Sequence, residues 1–315
     1  MAPWIPRLHL FEIADQSWFP PFLRAYVQAG LTHAWTTRLP ILQPCSPATL
    51  VAGILRRALG RSISSHTYVD FCAGAGGPTP DIERALNRQL AAAAAAAASQ
   101  GHDHGRVNGD GDGDADGAVK FVLTDLHPHV ESWAKAARAS PHLTYVSAPV
   151  DAAAAPPGLV ARAGGGGGRG VFRLFNLAFH HFDDHLARAI LKDTVETSDG
   201  FGIFELQSRD VSSFVSCLMF GVFIFLIAPL LYWWSPQVLF FVYVVPVVPF
   251  VLVFDGFISS LRTRTADEVE VLLRTCGAED AADWVVQSGS ETFLWPCGRL
   301  TWIVCTKESV GQGKS

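Results

Sequence analysis

The sequence lacks three features that mark common classes of protein: paired cysteines, an excess of positive charge and a secretion signal. Its six cysteines are scattered without a C-x-x-C pair, which argues against a zinc site and favours free thiols in a reducing compartment. The net charge is -5, so no broad basic field is available for a nucleic-acid backbone. Near the beginning, Trp4, Pro6 and Glu12 interrupt any apolar run. We therefore expect neither a nucleic-acid partner nor secretion.

Charge is also missing from one long internal segment. No Asp, Glu, Lys, Arg or His occurs between Asp210 and Asp255. Two apolar runs fill this segment, residues 214–234 and 238–254, and each is close to the roughly 20 residues that cross a bilayer as a helix. We therefore predict a hydrophobic helical hairpin in a membrane.

A buried strand that ends in an acid and then opens into glycines is the most informative motif. Asp70 ends the strand, and Gly74, Gly76 and Gly77 follow it. Glycines remove Cβ atoms and permit positive φ, so a ligand can lie against the main chain. A dinucleotide fingerprint, G-x-G-x-x-G, needs a glycine where Thr79 stands. This departure argues against a nicotinamide oxidoreductase.

Two further predicted strands are also followed by carboxylates. Residues 120–126 form an apolar strand ending near Asp125, where an acid accepts hydrogen bonds from ribose hydroxyls in doubly wound sheets. A helix cap is the alternative role for this side chain. Residues 143–146 predict a third strand, which Asp151 follows. That aspartate is either a ligand of the same site or an ordinary turn residue.

The acid and glycine motif, together with the stretch His-His-Phe-Asp-Asp at residues 180–184, resembles the class I S-adenosylmethionine-dependent methyltransferases, in a branch with an apolar insertion. The resemblance implies S-adenosylmethionine as the cofactor. It also implies that Asp70 lies near the amino-acid end of the cofactor, that the glycines pass beneath its ribose and methionine, and that Asp151 lies beside its adenine. The cofactor-binding residues expected on this basis are Asp70, Gly74, Ala75, Gly76, Asp125, Leu126, Asp151 and Asn176.

The catalytic candidates follow the fourth and fifth predicted strands. His180 and His181 come after residues 171–176, and Glu205 lies at the end of the fifth strand. Ligands bind beyond the carboxyl ends of such strands, and the pKa of histidine suits a general base. In the alternative interpretation, an aspartate after the histidines caps the next helix and the histidines only orient the turn. A base is also dispensable, because a sulfonium is already a reactive methyl donor.

A metal site is not predicted. A triad of His180, His181 and His185 is possible by ligand type, but ligand count without a fixed scaffold proves little. The alternating aspartates between residues 110 and 116 do not keep the register of a calcium loop, so this Gly/Asp repeat predicts a disordered linker.

These patterns predict an α/β fold: a doubly wound, mostly parallel, seven-stranded Rossmann-like sheet with an antiparallel last strand, plus an inserted hydrophobic helical hairpin. The predicted divisions are an N-terminal helical cap (1–66), a cofactor-binding core (67–210) with a low-complexity insert (91–118), the hairpin (211–257), the C-terminal part of the core (258–307) and a disordered tail (308–315).

Residues flanking the apolar runs predict the orientation of the hairpin. Aromatic residues at its bend favour a membrane interface, and arginines at its other end place the catalytic domain on the cytosolic side by the positive-inside rule. Pro246 and Pro249 would kink the second run, so a re-entrant loop remains an alternative. A soluble apolar lid or a dimer interface is another. The aromatic residues are Tyr232, Trp233 and Trp234, and the arginines are Arg209, Arg262 and Arg264.

The sequence thus predicts a membrane-associated methyltransferase that acts on a hydrophobic small molecule or lipid. The alternative from another class is a catalytically silent, membrane-anchored protein that uses the same fold as an interaction module. Binding of S-adenosylhomocysteine would favour the enzyme, and binding of NAD would favour an oxidoreductase.

Overall fold

A computed structural model describes residues 5–99, 117–163 and 168–307 of the chain. The predicted disordered tail and the Gly/Asp repeat with its alternating aspartates lie outside the described residues. The division into domains therefore stays a prediction, although the elements below give the bounds of its parts.

Seven strands form one sheet in the order β3-β2-β1-β4-β5-β7-β6. Strands β1 to β5 pair in parallel, and β7 is antiparallel to both β5 and β6. This arrangement confirms the predicted α/β fold class with its antiparallel last strand. The strands are β1 (His66–Phe71), β2 (Phe121–Thr124), β3 (Leu143–Tyr145), β4 (Gly170–Asn176), β5 (Gly200–Glu205), β6 (Trp284–Leu294) and β7 (Gly298–Lys307).

Helices cover both faces of the sheet and lie beyond its carboxyl edge. Side chains alternate along each strand, so neighbouring residues enter different cores. We call the side with α2 and α3 the α3 face, and the side with α6 and α10 the α6 face. The helices are α1 (Pro21–Thr36), α2 (Pro47–Leu59), α3 (Thr79–Ser99), α4 (Val130–Arg138), α5 (Leu159–Arg162), α6 (Asp184–Thr197), α7 (Val211–Leu231), α8 (Pro236–Leu239), α9 (Val247–Arg262) and α10 (Ala266–Arg274).

Polar caps explain where several helices begin. The side chain of Asp183 accepts the backbone N–H of Leu186 at the start of α6, and Asp210 does the same for Ser213 at the start of α7. Such caps satisfy donors that have no partner within a helix. The capping role that was an alternative for an aspartate after the histidines is therefore filled by Asp183.

The first apolar run is a single helix, whereas the second is broken. Helix α7 is long and apolar enough to cross a membrane, and only 17% of its most apolar window is buried. The second run bends by 64° between Pro236–Val244 and Val247–Arg262. Pro246 lies at this break, and proline lacks the N–H that a continuous helix needs. The hairpin therefore contains one straight apolar helix and one bent segment, which passes the same test only if its two parts count together.

Small residues bring α7 and α9 into close contact. Ser213 Oγ lies 3.1 Å from Ser260 Oγ, and a Cβ added at Gly256 would lie 3.0 Å from Cys217 Sγ. A Cβ added at Gly221 would lie only 2.4 Å from Val253 Cγ2. Close backbone approach through small residues is typical of helix pairs in membranes. The two apolar helices therefore form a tightly packed antiparallel pair.

Replacing Gly221 with leucine is expected to force α7 and α9 apart. The added side chain has no room beside Val253, and overpacking of this kind costs about 1–3 kcal/mol. Thermal unfolding in detergent should therefore show a lower midpoint for Gly221→Leu. Val222→Leu is the matched control, because Val222 is the next residue and is 53% exposed. Equal midpoints for the two variants would contradict the close contact.

Candidate cofactor and acceptor site

One carboxylate fixes the glycine turn against the neighbouring strand. The Gly74 N–H donates to Asp125 Oδ2 at 2.8 Å, and the His127 N–H donates to Asp125 Oδ1 at 2.8 Å. From the other side, Trp133 Nε1 donates to the Gly74 carbonyl at 2.8 Å. The ends of β1 and β2 are therefore joined through side chains as well as through the sheet.

The turn leaves its main chain open to a ligand. Gly74, Gly76 and Gly77 all have positive φ, at 53°, 113° and 50°. A Cβ added at Gly74 would meet no heavy atom within 4 Å among the residues that the structure describes. The glycines are thus needed for the backbone conformation, and the space over Gly74 is free for a bound group.

Asp70 and Asn176 are buried side by side with Thr79 and have unused oxygen atoms. Thr79 Oγ1 donates to Asp70 Oδ2, and Asn176 Nδ2 donates to Thr79 Oγ1 at 3.1 Å. Asp70 Oδ1 and Asn176 Oδ1 are buried and have no hydrogen-bond partner within the described part of the chain. Buried acceptors normally receive a hydrogen bond, so we expect a ligand to donate to both atoms. Asp70 Oδ1 can alternatively carry a proton of its own.

Burial raises the pKa of Asp70 to about 7, and the negative charge of Asp125 adds to the increase. The hydrogen bonds from Thr79 and Asn176 lower the pKa but do not offset burial. Cys72 lies beside the same carboxylates: burial, followed by the charges of Asp125, Asp70 and Asp151, raises its pKa to about 12. The negative charges of all three predicted carboxylates therefore act on this one thiol.

The other predicted cofactor residues lie along the same edge. The Val150 N–H donates to the Asp125 carbonyl at 2.9 Å, which holds the exposed Asp151 beside the end of β2. Ala75 is exposed, and Leu126 is 52% exposed. The structure thus brings all eight predicted residues to the ends of β1 to β4, while their role in binding stays a proposal.

Glu205, one of the catalytic candidates, points away from the group of predicted cofactor residues. Phe204 packs in the core on the α3 face and Ile203 in the core on the α6 face, so the alternation turns Glu205 toward the α6 face. By the same rule Asn176 follows Leu174 onto the α3 face. Glu205 therefore does not share the face of Asp70 and Asn176.

Glu205 instead belongs to a buried polar network. His180 Nδ1 lies 2.9 Å from Glu205 Oε2, and His180 Nε2 lies 3.7 Å from Glu12 Oε1. Arg262 Nη1 donates to Glu12 Oε1 at 3.0 Å, and Ser259 Oγ donates to the same atom at 2.9 Å. The network joins the N-terminal segment to α9 and to the ends of β4 and β5.

His181 extends this network toward the surface. Its Nδ1 lies 3.1 Å from Asp15 Oδ2. Burial opposes the charged ring, but the hydrogen bond to Asp15 and the charges of Glu12 and Asp15 outweigh burial and raise the pKa of His181. The sequence predicted His180, His181 and Glu205 but not Glu12 and Asp15, because no motif marks the segment that carries these two acids.

Glu12, His180 and His181 bring three possible metal-ligand atoms within 4.8 Å of one another. Arg262 Nη1 also lies among them, 3.0 Å from Glu12 Oε1 and 3.5 Å from His181 Nδ1. A guanidinium therefore already supplies positive charge between these groups, and it would repel a divalent cation there. The cluster fits an ion-pair network better than a metal site.

An apolar cavity of about 210 Å³ begins next to the carboxyl ends of β4 and β5. Leu177, which follows Asn176, and Leu206, which follows Glu205, both line it on the α3 face. Gln207 lines it as well and donates to Glu205 Oε2 at 3.4 Å. A second cavity of about 350 Å³ lies on the α6 face and contains His180 and Glu205. Gln207, which lines the first cavity, thus contacts Glu205, which lines the second.

The arginines that flank the apolar hairpin are used within the fold. Arg209 pairs with Glu268 at 2.6 Å, and Arg264 pairs with Asp184 at 2.8 Å. Arg262 is the partner of Glu12 described above. All three are buried, so they are not free surface charges of the kind that the positive-inside rule counts. The predicted cytosolic orientation consequently has no support from these residues.

The strand order, together with the glycine turn that follows Asp70 at the end of β1, defines a methyltransferase-like α/β fold. No protein-family model matches the chain, and no curated protein matches it in sequence.

Among solved structures, a SAM-dependent methyltransferase from Anabaena variabilis is 14% identical, with a TM-score of 0.43 over 96% of this chain and 98% of the other. The methyltransferase domain of bacterial CtHen1-CN is 10% identical, with a TM-score of 0.42 over 81% and 97%. A cyclopropane-fatty-acyl-phospholipid synthase-like protein from Lactobacillus casei is 10% identical, with a TM-score of 0.38 over 90% and 98%. These similarities are too low to carry an argument about function.

Stability is expected to fall as pH rises because of Asp70. Its folded pKa of about 7 lies above the ordinary 3.8, so between these values the folded state holds a proton that the unfolded state has lost. Between pH 5 and pH 8 the wild type should lose roughly 2–3 kcal/mol relative to Asp70→Asn, which stays neutral. Urea unfolding of both proteins at the two pH values measures the difference. A constant difference would contradict the raised pKa.

Proposed function

We propose that this protein is an S-adenosylmethionine-dependent methyltransferase that acts on a hydrophobic small molecule or lipid at a membrane. The observation that carries the proposal is the pair of buried, unpartnered oxygens on Asp70 and Asn176, beside an open glycine turn. A cationic amino group is the kind of donor that both acceptors need. The cofactor named above carries such a group at its amino-acid end.

The residues present fit this cofactor. Asp70 and Asn176 would hold the amino group, and Gly74 would let the ligand lie against the main chain. Asp125 is half-buried, and each of its oxygens accepts one backbone N–H, which leaves lone pairs for ribose hydroxyls. When bound, S-adenosylmethionine supplies an electrophilic methyl group on a sulfonium.

The acceptor would lie in the apolar cavity on the α3 face. Leu177 and Leu206 line this cavity directly after the carboxyl ends of β4 and β5, so its inner end adjoins Asn176. Apolar walls exclude water and hold a hydrophobic molecule in a fixed position. Positioning of the acceptor atom is therefore the main contribution of the chain in this proposal.

No general base is required in this proposal. Glu205 turns to the α6 face, and His180 is held between Glu205 and Glu12. Should a base act on the acceptor, the predicted candidates His180, His181 and Glu205 are the groups to test. Their effect would then reach the acceptor through Gln207, which contacts both Glu205 and the apolar cavity.

Membrane association is proposed from the outer face of α7. Large apolar side chains are exposed there at helical spacing, at Val211, Val215, Leu218, Val222, Leu226 and Leu230. A continuous apolar stripe of this kind marks an interaction surface rather than scattered surface residues. The opposite side of α7 packs on α1 and α9, so contact with a single leaflet suits this helix better than a complete lipid shell.

Replacing Asp125 with alanine is expected to weaken cofactor binding. The change removes the acceptor of the Gly74 N–H and the proposed ribose ligand, and a hydrogen bond to a charged group of this kind corresponds to roughly 10- to 100-fold in affinity. Calorimetry with S-adenosylhomocysteine measures the loss. Glu131→Ala is the matched control, because it removes the same charge from an exposed position on α4.

The same calorimetry tests the alternatives. Binding of NAD in place of S-adenosylhomocysteine would favour an oxidoreductase, and binding of neither would favour the silent module. Equal affinities of Asp125→Ala and Glu131→Ala for S-adenosylhomocysteine would remove Asp125 from the site.

Charging the outer face of α7 is expected to release the protein from membranes. The triple variant Val215→Glu, Val222→Glu and Leu226→Glu alters side chains that are 44%, 53% and 65% exposed, so the fold should persist. Flotation with phosphatidylcholine vesicles should show at least a tenfold smaller bound fraction, since burying each such side chain is worth about 1.5–3 kcal/mol.

A control triple variant adds the same charge elsewhere. Ala92→Glu, Ala95→Glu and Ala96→Glu lie on the exposed end of α3 and should leave vesicle binding unchanged. Equal vesicle binding by both triple variants would contradict the proposed membrane association. Surface substitutions are preferable to deleting residues 211–254, because α7 and α9 share a core with α1.

A further inference from the structure

The apolar cavity is long and follows one helix. From α7 it is lined at Ser216, Phe220, Ile224, Ile227 and Leu231, which lie on one side of the helix. With 1.5 Å of rise per residue, the stretch from position 216 to position 231 spans about 22 Å. The cavity therefore runs from the ends of β4 and β5 along most of α7 toward the bend of the hairpin.

Three helices meet around the middle of the cavity. A Cβ added at Gly30 of α1 would lie 3.1 Å from Leu252 Cδ1 of α9 and 3.9 Å from Ile224 Cδ1 of α7. All three residues line the cavity, so three helices approach one another closely at this point. A methyl group added at Gly30 would already crowd Leu252, so this part of the cavity suits an unbranched methylene chain better than a fused-ring molecule.

Polar groups mark both ends of the cavity. At the inner end, Gln207 lies beside Leu206 and contacts Glu205. At the outer end, His33 Nε2 lies 3.1 Å from the Tyr232 hydroxyl, and both residues line the cavity. No Asp, Glu, Lys or Arg is among the described lining residues, so the occupant of its length is uncharged.

The outer end also adjoins the apolar surface. Trp233 and Trp234 directly follow Tyr232 and are 72% and 63% exposed. Aromatic residues of this kind favour the membrane–water interface. A molecule dissolved in the adjoining leaflet would therefore reach the cavity without crossing bulk water.

We propose that the acceptor is an amphiphile with one unbranched, uncharged chain, and that the cavity measures the length of this chain. The polar group that receives the methyl lies at the inner end near Gln207, and the chain runs along α7 toward the pair of His33 and Tyr232. The molecule enters from the leaflet at that outer end. The proposal rests on the proposed function for the methyl transfer, but chain binding itself needs no cofactor.

Chain binding is tested with 1-alkanols of increasing length that compete with cis-parinaric acid, a fluorescent straight-chain probe, in the absence of any cofactor. For the wild type, affinity should rise roughly fourfold per added methylene until the chain fills the cavity, and then level off. In Ile227→Trp the indole blocks the outer part, so affinity should level off at a shorter chain while the gain per methylene for short chains is kept.

Leu226→Trp is the matched control. It places the same ring on the preceding residue, which is 65% exposed on the outer face of α7, and should keep the wild-type length limit. Equal limits for Ile227→Trp and Leu226→Trp would overturn the proposal, and so would displacement of the probe by a sterol as effectively as by a long alkanol.

The outcomes separate this inference from the proposed function. A shortened limit in Ile227→Trp without binding of S-adenosylhomocysteine would support a chain-binding cavity and refute the methyltransferase. Binding of S-adenosylhomocysteine with no dependence on chain length would refute the cavity proposal alone.

Discussion

The hydrogen bond from Gly74 to Asp125 sets the geometry on which the candidate site depends. It ties the turn after β1 to the end of β2, and the Trp133 indole holds the same residue from the other side. With the turn fixed in positive φ, Asp70 stays buried beneath it next to Thr79. The open main chain of the turn thus depends on this one contact between neighbouring parallel strands, and the buried acceptors lie at the ends of β1 and β4 beside it.

The alternation of side chains along β4 and β5 divides the chemistry of the protein between two faces. The candidate cofactor site and the apolar cavity share the α3 face through Asn176 and Leu206, while His180 and Glu205 line the second cavity on the α6 face. Neighbouring residues such as Glu205 and Leu206 are divided in this way because adjacent positions of a strand point in opposite directions. Gln207 is the link between the two sides.

Much of the fold followed from the sequence, because apolar runs ending in acids or glycines are local signals for parallel strands. The partners of single polar residues were not predictable, since they come from distant parts of the chain. Arg173 in the apolar strand β4 forms an ion pair with Asp193, and its guanidinium carbon lies 4.5 Å from the centre of the Phe71 ring. Glu12 likewise acquires its partner Arg262 only through tertiary packing, so no local pattern could reveal their network.

The close seam between α7 and α9 determines which wall of the cavity can move. Around Gly221 the two helices have no spare volume, because an added Cβ there would lie only 2.4 Å from Val253 Cγ2. Helix α1 shares a buried core with them through side chains such as Val27, and it approaches α9 closely at Gly30, where an added Cβ would lie 3.1 Å from Leu252 Cδ1. A guest wider than an unbranched chain would therefore require the separation of α1 from α9, because the seam between α7 and α9 has no room to give.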